Sequence, residues 1–243
     1  MISVARDIAH YPERPTNLSV VEACSLLNAL TPAEREELAA GSYMAYADRG
    51  ELVFLHGSPA EFVGVVGSGF VKMSKATHGG QEVALELLGP GQVFGLLAVI
   101  EGRSFPLNAT AVTNCWYLKI PQRTMMKAYE ASSPLKDTVI RSVGPRLRKA
   151  HEMMLRLSSG RVEERIAVVL FILADSYGTS TAEGMQITVP LTRQDVAEMA
   201  GTTVETAIRV LSRWQKEGLV CTDRHVITLR NEAALREMFE VGA

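Results

Sequence analysis

The sequence predicts an α+β protein: a strand-rich antiparallel half, then a long helix, then a compact pair of helices backed by a hairpin. Three observations carry this expectation. Between residues 43 and 120, short apolar runs alternate with glycine-bearing turns. From 133 to 160, apolar residues recur at steps of three or four. The stretch "LTRQDVAEMAGTTVETAIRVLSRWQKEGLV", residues 191–220, reads as helix, tight turn, helix.

Taken in order, an N-terminal arm precedes "TPAEREELAAG", where Thr31 caps a short helix, Pro32 suits its first turn, Glu34 closes a capping box and Gly41 ends it. The runs "ELVFLHG", "EFVGVVGSGFVKMSK", "QEVALELLGPGQVFG" and "ATAVTNCWYLKI" follow, parted by Gly57, Gly67, Gly69, Gly79-Gly80 and Gly89-Pro90-Gly91. Short strands at such even spacing imply a small sandwich or barrel. In "SPLKDTVIRSVGPRLRKAHEMMLRLSSG", Leu135, Val139, Val143, Leu147, Ala150, Met154 and Leu157 form a narrow stripe near the coiled-coil period. Such a stripe fits pairing with a second copy better than packing on its own domain, although Pro145 within it removes a backbone donor. A second helix, "RVEERIAVVLFILADSYG", ends at Gly178, and "TSTAEG" reads as a polar loop. The hairpin "LVCTDRHVITL" and an amphipathic helix, "NEAALREMFE", close the chain, and no internal repeat appears.

The chain has 243 residues, of which 47% are hydrophobic and 21% charged, enough for one large or two modest domains. No apolar run approaches the roughly 18 residues of a membrane span, and "MISVARDIAHYPERPTNLSV" lacks the basic start and apolar block of a signal peptide, so a cytoplasmic location without membrane contact is expected. Cys24, Cys115 and Cys221 are too scattered for a disulfide framework or a CxxC metal site. The net charge of −2 argues against indiscriminate coating of nucleic acid but leaves a local patch open.

Within 191–220, Thr192 caps a first helix near 193–200 with Asp195 completing the box, Gly201 makes the turn, and a second helix runs from Thr203 to about Glu217 before Gly218. Ala207, Val210, Leu211 and Trp214 hold core spacing, while Glu205, Ile208, Arg209 and Ser212 point elsewhere. Glu205 and Arg209 share a face. They either form a surface ion pair or read bases in a major groove, arginine to guanine and glutamate to the cytosine amine.

Residues 192–220 resemble the winged helix-turn-helix of the CRP/FNR family of bacterial transcription regulators, and the order of parts matches that family over about 27–239. The resemblance implies an N-terminal arm and antiparallel β-roll, a jelly roll like that of cyclic-nucleotide-binding domains, over 1–130. It further implies a dimerisation helix over 131–158 and a winged helix-turn-helix over 159–243. A homodimer would hold two reading helices about one DNA turn apart on near-palindromic promoter DNA. "GTTVETAIR" is closer to the FNR-type pattern G-x-T-V-E-T-x-S-R than to the CRP-type G-x-S-R-E-T-x-x-R. Val204 stands where CRP-like members carry an arginine, Glu205 and Arg209 are kept, and Ile208 replaces a serine, which suggests contact with a thymine methyl. TTGA-like half-sites are the expectation. Thr192, Arg193, Gln194, Thr203 and Thr206 lie where the family grips phosphates, with Arg224 and His225 in the wing; RNA polymerase is a further partner if the protein activates.

Cyclic-nucleotide members resemble one another in a glutamate for the ribose and an arginine for the phosphate. In "VFGLLAVIEGRSFPLNATA" the matching pocket comprises Phe94, Gly95, Leu96, Leu97, Phe105 and Pro106: Leu96 stands at the glutamate position, Phe105-Pro106 replace arginine and serine, and Arg103-Ser104 fall two places early. An apolar cradle would leave the phosphate charge unpaired, which disfavours cAMP or cGMP. A lone Cys24 disfavours an iron–sulfur cluster. Haem, carried by gas-sensing relatives of this fold, needs an axial ligand; of His10, His56, His78 and His151, the candidates are His10 in the arm and His151 on the long helix. An apolar effector, or none, remains open, as does the activating or repressing sign. Against an enzyme of cupin type, only His56 and His78 lie in the strand region, and no Ser-His-Asp order or Walker loop is visible. A scaffold without DNA contact would leave the second helix's polar face unexplained.

Overall fold

The computed structural model describes residues 12–77, 79–158 and 161–240. They group into two compact units, one reaching to Val71 and resuming over Leu88–Thr138, the other made of Lys72–Leu87 and the chain from Val139 onward.

In the first unit, Thr16 caps α1 (Asn17–Ala23), a helix inside what the sequence suggests is only an arm. The expected box at α2 (Pro32–Ala40) forms: the Thr31 amide and hydroxyl donate to the Glu34 carboxylate at 2.7 and 2.8 Å, and the Glu34 amide donates to the Thr31 hydroxyl at 3.3 Å. The strand region becomes β1 (Tyr43–Ala47), β2 (Leu52–Phe54), β3 (Phe62–Ser68), β4 (Val71–Ala76), β5 (Glu82–Leu88), β6 (Val93–Phe94), β7 (Asn108–Ala111) and β8 (Cys115–Pro121), of which β4 from Lys72 and β5 as far as Leu87 group with the second unit. One antiparallel sheet runs β1–β8–β3–β6; β2 pairs with β7, and β4 neighbours β5. The centre of β3 is covered on both faces, with Val63, Val65 and Val66 no more than 1% exposed. Gly64 is required there, because a Cβ would lie 2.0 Å from the Phe94 ring opposite. Two further helices, α3 (Leu96–Glu101) and α4 (Gln122–Ala131), escape the sequence reading.

The long helix is α5 (Ser133–Ser158), with Pro145 inside it. Its stripe divides. Leu135 and Val139 are buried within the chain itself, which takes them out of any seam facing a second copy, whereas Val143, Leu147 and Ala150 are exposed. The side chains of Met154 and Leu157 lie outside the described residues. Ile140, off the predicted stripe, is 67% exposed.

The second unit continues with α6 (Val162–Tyr177), β9 (Gly178–Thr181), β10 (Gly184–Ile187), α7 (Arg193–Met199), α8 (Val204–Lys216), β11 (Val220–Asp223), β12 (Val226–Leu229) and α9 (Glu232–Glu240). Its sheet has the order β11–β12–β10–β9. The expected polar loop after α6 is therefore half strand: Thr179, Ser180 and Thr181 belong to an exposed edge, where Thr and Ser satisfy one face of water and one ladder. Gly178 does not stop the helix in a left-handed turn either, since its φ is −85°. It starts β9 at a point where a Cβ would sit 2.2 Å from the Ala174 carbonyl oxygen.

Burial sorts the thiols. Cys24 and Cys115 are enclosed, and desolvation pushes Cys115 up to about 12, whereas Cys221 is half-buried. Since the thiolate is the reactive form, folded protein at pH 8 is expected to give one fast equivalent with Ellman's reagent, lost in Cys221→Ser, and the other two only on unfolding.

Candidate nucleic-acid interface and sensor core

The helix-turn-helix is built from local rules. Thr192 donates through its amide and hydroxyl to Asp195 Oδ2 at 2.9 and 2.6 Å, and the Asp195 amide donates to Thr192 Oγ1 at 3.1 Å, so two otherwise orphaned donors of α7 are satisfied. After α7, Gly201 takes φ of 59°, and Arg165 from α6 donates to the carbonyls of Ala200 at 3.0 Å and Gly201 at 3.4 Å. Thr203 caps α8, accepting from the Thr206 amide at 3.3 Å. One face of α8 is sealed, with Ala207, Leu211 and Trp214 at 0% and Val210 at 3% exposure.

The opposite face carries Glu205, Arg209 and Ile208, all exposed, with Val204 half-buried at the first turn. The ion pairs of α8 belong to Arg213, which lies 3.4 Å from Glu163 and 3.8 Å from Glu217. Glu205 and Arg209 do not pair with each other. A 45%-exposed isoleucine between them gives this face an apolar point among polar ones.

The residues expected at phosphates fall into two groups. Arg193 is partly buried and donates to Thr222 Oγ1 at 3.2 Å, and burial lowers its pKa below the ordinary guanidinium value; Gln194 donates to Glu198 at 2.9 Å. Thr192 and Thr203 serve as caps, and Thr203 also donates to Thr206 Oγ1 at 3.1 Å. Arg224 and His225, by contrast, stand exposed at the tip of the β11–β12 hairpin. Both have positive φ, 43° and 69°, the conformation of a two-residue primed turn that usually selects Asn-Gly. Holding two non-glycine residues there costs on the order of 1 kcal/mol each, a strain associated with functional positions.

In the first unit, the expected pocket positions lie beside a cluster of aromatic rings. Phe105 is 2% exposed and stacks on Phe54 with ring centroids 3.7 Å apart at 9°, while Phe62 meets Phe105 edge-on at 5.6 Å and Phe94 lies 5.9 Å from Phe54. Gly95, at φ of 76°, lets the chain pass Phe105, since a Cβ there would be 2.8 Å from the ring. Leu96 is buried, whereas Leu97 and Pro106 face outward. Tyr117 borders Phe94 at 6.0 Å, and burial pushes its phenol up to about 12. Arg103, the cation nearest in sequence, is 79% exposed at its side chain and lies 3.6 Å from Glu101. These residues do not fit a cyclic phosphate: the charge would meet aromatic rings. Phe54 and Phe62 were not among the sequence candidates, and only their topology joins them to Phe105.

His56 and His151 are exposed, and His10 and His78 lie outside the described residues. Among the described residues, no group of three or more His, Cys, Asp or Glu is placed to hold a metal ion. No helix among them is long and apolar enough to cross a membrane.

Comparisons with known proteins match this order of parts. A cyclic nucleotide-binding domain model matches residues 45–132, and a Crp-like helix-turn-helix domain model matches residues 164–238. The chain is 28% identical over 194 residues to the global nitrogen regulator of Synechococcus elongatus, covering 79% of this chain and 87% of that protein. It is 27% identical over 175 residues to the transcriptional activator protein anr of Pseudomonas aeruginosa, covering 72% and 71%. The structure of FixK2 from Bradyrhizobium japonicum superposes with a TM-score of 0.72 at 25% identity, covering 83% of this chain and 99% of that one. With a β-roll ahead of a winged helix-turn-helix in both sequence and structure, the chain belongs to the CRP/FNR family of DNA-binding transcription regulators.

Proposed function

We propose that this regulator works in the cytoplasm as a homodimer, reads near-palindromic promoter DNA with TTGA-like half-sites, and answers to something other than a cyclic nucleotide. The observation that carries the reading is the division of α8 into a sealed face and an exposed face of Glu205, Ile208 and Arg209. Arginine supplies the fork that guanine O6 and N7 accept, glutamate accepts from cytosine N4, and isoleucine suits a thymine methyl. Phosphate contacts from Arg224 and His225 in the wing and Thr203 and Thr206 at the start of α8 would fix register. RNA polymerase would be the further partner of an activator.

The test is an electrophoretic shift with a duplex whose TTGA half-sites are about one turn apart, against the same duplex with the half-sites scrambled. Preference for the first supports the reading; equal binding removes the base-reading assignment.

The dimer rests on α5, where Ile140, Val143 and Leu147 expose apolar surface on a helix that already buries Leu135 and Val139. Leu147→Asp places a charge in that seam. The expected result by sedimentation velocity is a shift from dimer to a 26.5 kDa monomer with the circular dichroism of folded protein; an intact dimer would place the seam elsewhere. The aromatic core leads to a second expectation, that calorimetric titration with cAMP or cGMP gives no saturable heat.

A further inference from the structure

We infer that the β4–β5 hairpin, residues 72–87, is a strap that fixes the first helix of the helix-turn-helix, and that Lys72 is the positioning residue through which it acts. Lys72 is 8% exposed and donates through Nζ to Asp195 Oδ1 at 2.9 Å and to Glu198 Oε2. The remaining oxygens of both carboxylates are occupied as well: Asp195 Oδ2 accepts from Thr192, and Glu198 Oε1 accepts from Gln194 Nε2 at 2.9 Å. One buried cation therefore stands behind two carboxylates that orient Thr192 and Gln194, two of the side chains expected from the sequence at DNA phosphates. A fully satisfied buried network of this kind rigidifies, whereas a half-satisfied one is costly.

The strap has two more anchors. Gln81 Nε2 donates to the Thr202 carbonyl at 2.8 Å, in the turn before α8, and Tyr177 Oη at the end of α6 donates to the Leu87 carbonyl at 2.9 Å. The hairpin thus holds α7 near its start, the α7–α8 turn, and the helix before them. Glu205, Ile208 and Arg209 stay exposed with all three anchors made, so the seated strap is compatible with DNA reading. Since the chain leaves the sensor unit at Val71 and rejoins it at Leu88, strap and sensor are covalently continuous at both ends.

The charge balance explains why Lys72 matters to DNA. Without it, Asp195 and Glu198 would present two negative charges beneath side chains meant to meet phosphate. Burial opposes the ammonium charge, but hydrogen bonding and attraction from Glu198 and Asp195 outweigh it and hold the Lys72 pKa above the ordinary lysine value. The cation is retained.

The experiment uses the full-length chain and the variants Lys72→Met, Lys72→Arg, Lys72→Met with Glu198→Gln, and Gln81→Ala. It reads amide hydrogen exchange over residues 193–203 and affinity for the TTGA duplex and its scrambled control. In Lys72→Met, the amides of α7 should exchange at least about tenfold faster while those of the far half of α8 keep their rates, because a local element opens ahead of the unit. Affinity for both duplexes should fall by about tenfold, since the affected contacts are to phosphate and blind to sequence. Lys72→Arg should behave as wild type, and adding Glu198→Gln to Lys72→Met should recover part of the protection. Gln81→Ala, at an exposed residue, should loosen 201–203 alone. Unchanged exchange of α7 in Lys72→Met, with 201–203 unchanged in Gln81→Ala, would overturn the strap. Faster exchange with unchanged affinity would overturn the positioning role. The DNA arm rests on the reading of α8 proposed above: if wild type does not prefer the TTGA duplex, that reading fails, while exchange still decides the strap.

Discussion

Replacing Arg209 by alanine is expected to abolish discrimination between the TTGA duplex and its scrambled control while leaving weak binding to both. One good bidentate base contact contributes about 1–3 kcal/mol per half-site, so a dimer losing it twice should bind its site about 30- to 20,000-fold more weakly. Two features separate this outcome from a loss of folding. Arg209 is exposed and not ion-paired with Glu205 on its own helix, so its removal leaves no buried partner stranded and the melting temperature should hold. It contacts a base rather than a phosphate, so the slope of log Kd against log salt should keep its wild-type value. A variant that weakened both duplexes equally and flattened that slope would assign Arg209 to the backbone. Glu205→Gln should act differently, relaxing preference at the same base pair by a smaller factor because a carboxamide can still accept from cytosine N4.

The helix-turn-helix was legible in the sequence because its construction is local. The Thr192 and Asp195 box, the Gly201 turn, the Thr203 cap and the 3.6-residue spacing of Ala207, Val210, Leu211 and Trp214 all lie within 30 residues of chain and appear in the structure where spacing put them. The wing turn was legible in place but not in conformation, since Asp-Arg-His-Val carries no glycine to announce two positive φ values. β9 was hidden for a related reason. A polar edge strand has the composition of a loop, and only its pairing with β10 distinguishes the two.

What the sequence hid was whatever depends on distant residues. Periodicity correctly gave α5 an apolar stripe, but period alone does not say which partner covers it; Leu135 and Val139 are claimed by their own chain, and Ile140 is left outside. Asp195 was readable as a cap, yet its second role requires Lys72, 123 residues earlier. In sequence Lys72 is a basic residue in the middle of "GFVKMSK", where alternation would place it on a solvated face. The sensor core divides in the same manner: Leu96 and Phe105 were visible as departures from a charged cradle, whereas Phe54 and Phe62 become its lining only once β2 pairs with β7 and β3 with β6.

That core makes the second large prediction, on Phe105→Ala. Phe105 touches Phe54 and Phe62, is 2% exposed, and is approached so closely by Gly95 that the backbone there has been shaped around it. Truncating a phenylalanine so enclosed costs about 3–5 kcal/mol, the transfer term plus a cavity that the surrounding sheet only partly closes. The β-roll should therefore melt about 10–20 °C lower, as read by calorimetry. An apolar cavity stays dry and accepts apolar guests, so millimolar indole or toluene should raise the melting temperature of Phe105→Ala and leave wild type unmoved. Cyclic AMP should do neither, because removing a ring supplies no partner for a phosphate charge: Leu96 remains at one side of the pocket and Arg103 points into solvent. A wild-type protein stabilised by cAMP would show that the aromatic rings part for a ligand and would return this chain to the cyclic-nucleotide branch. A wild-type protein stabilised by an aromatic guest would instead identify the stacked phenylalanines as a site already built, with Phe105 as the group the effector displaces.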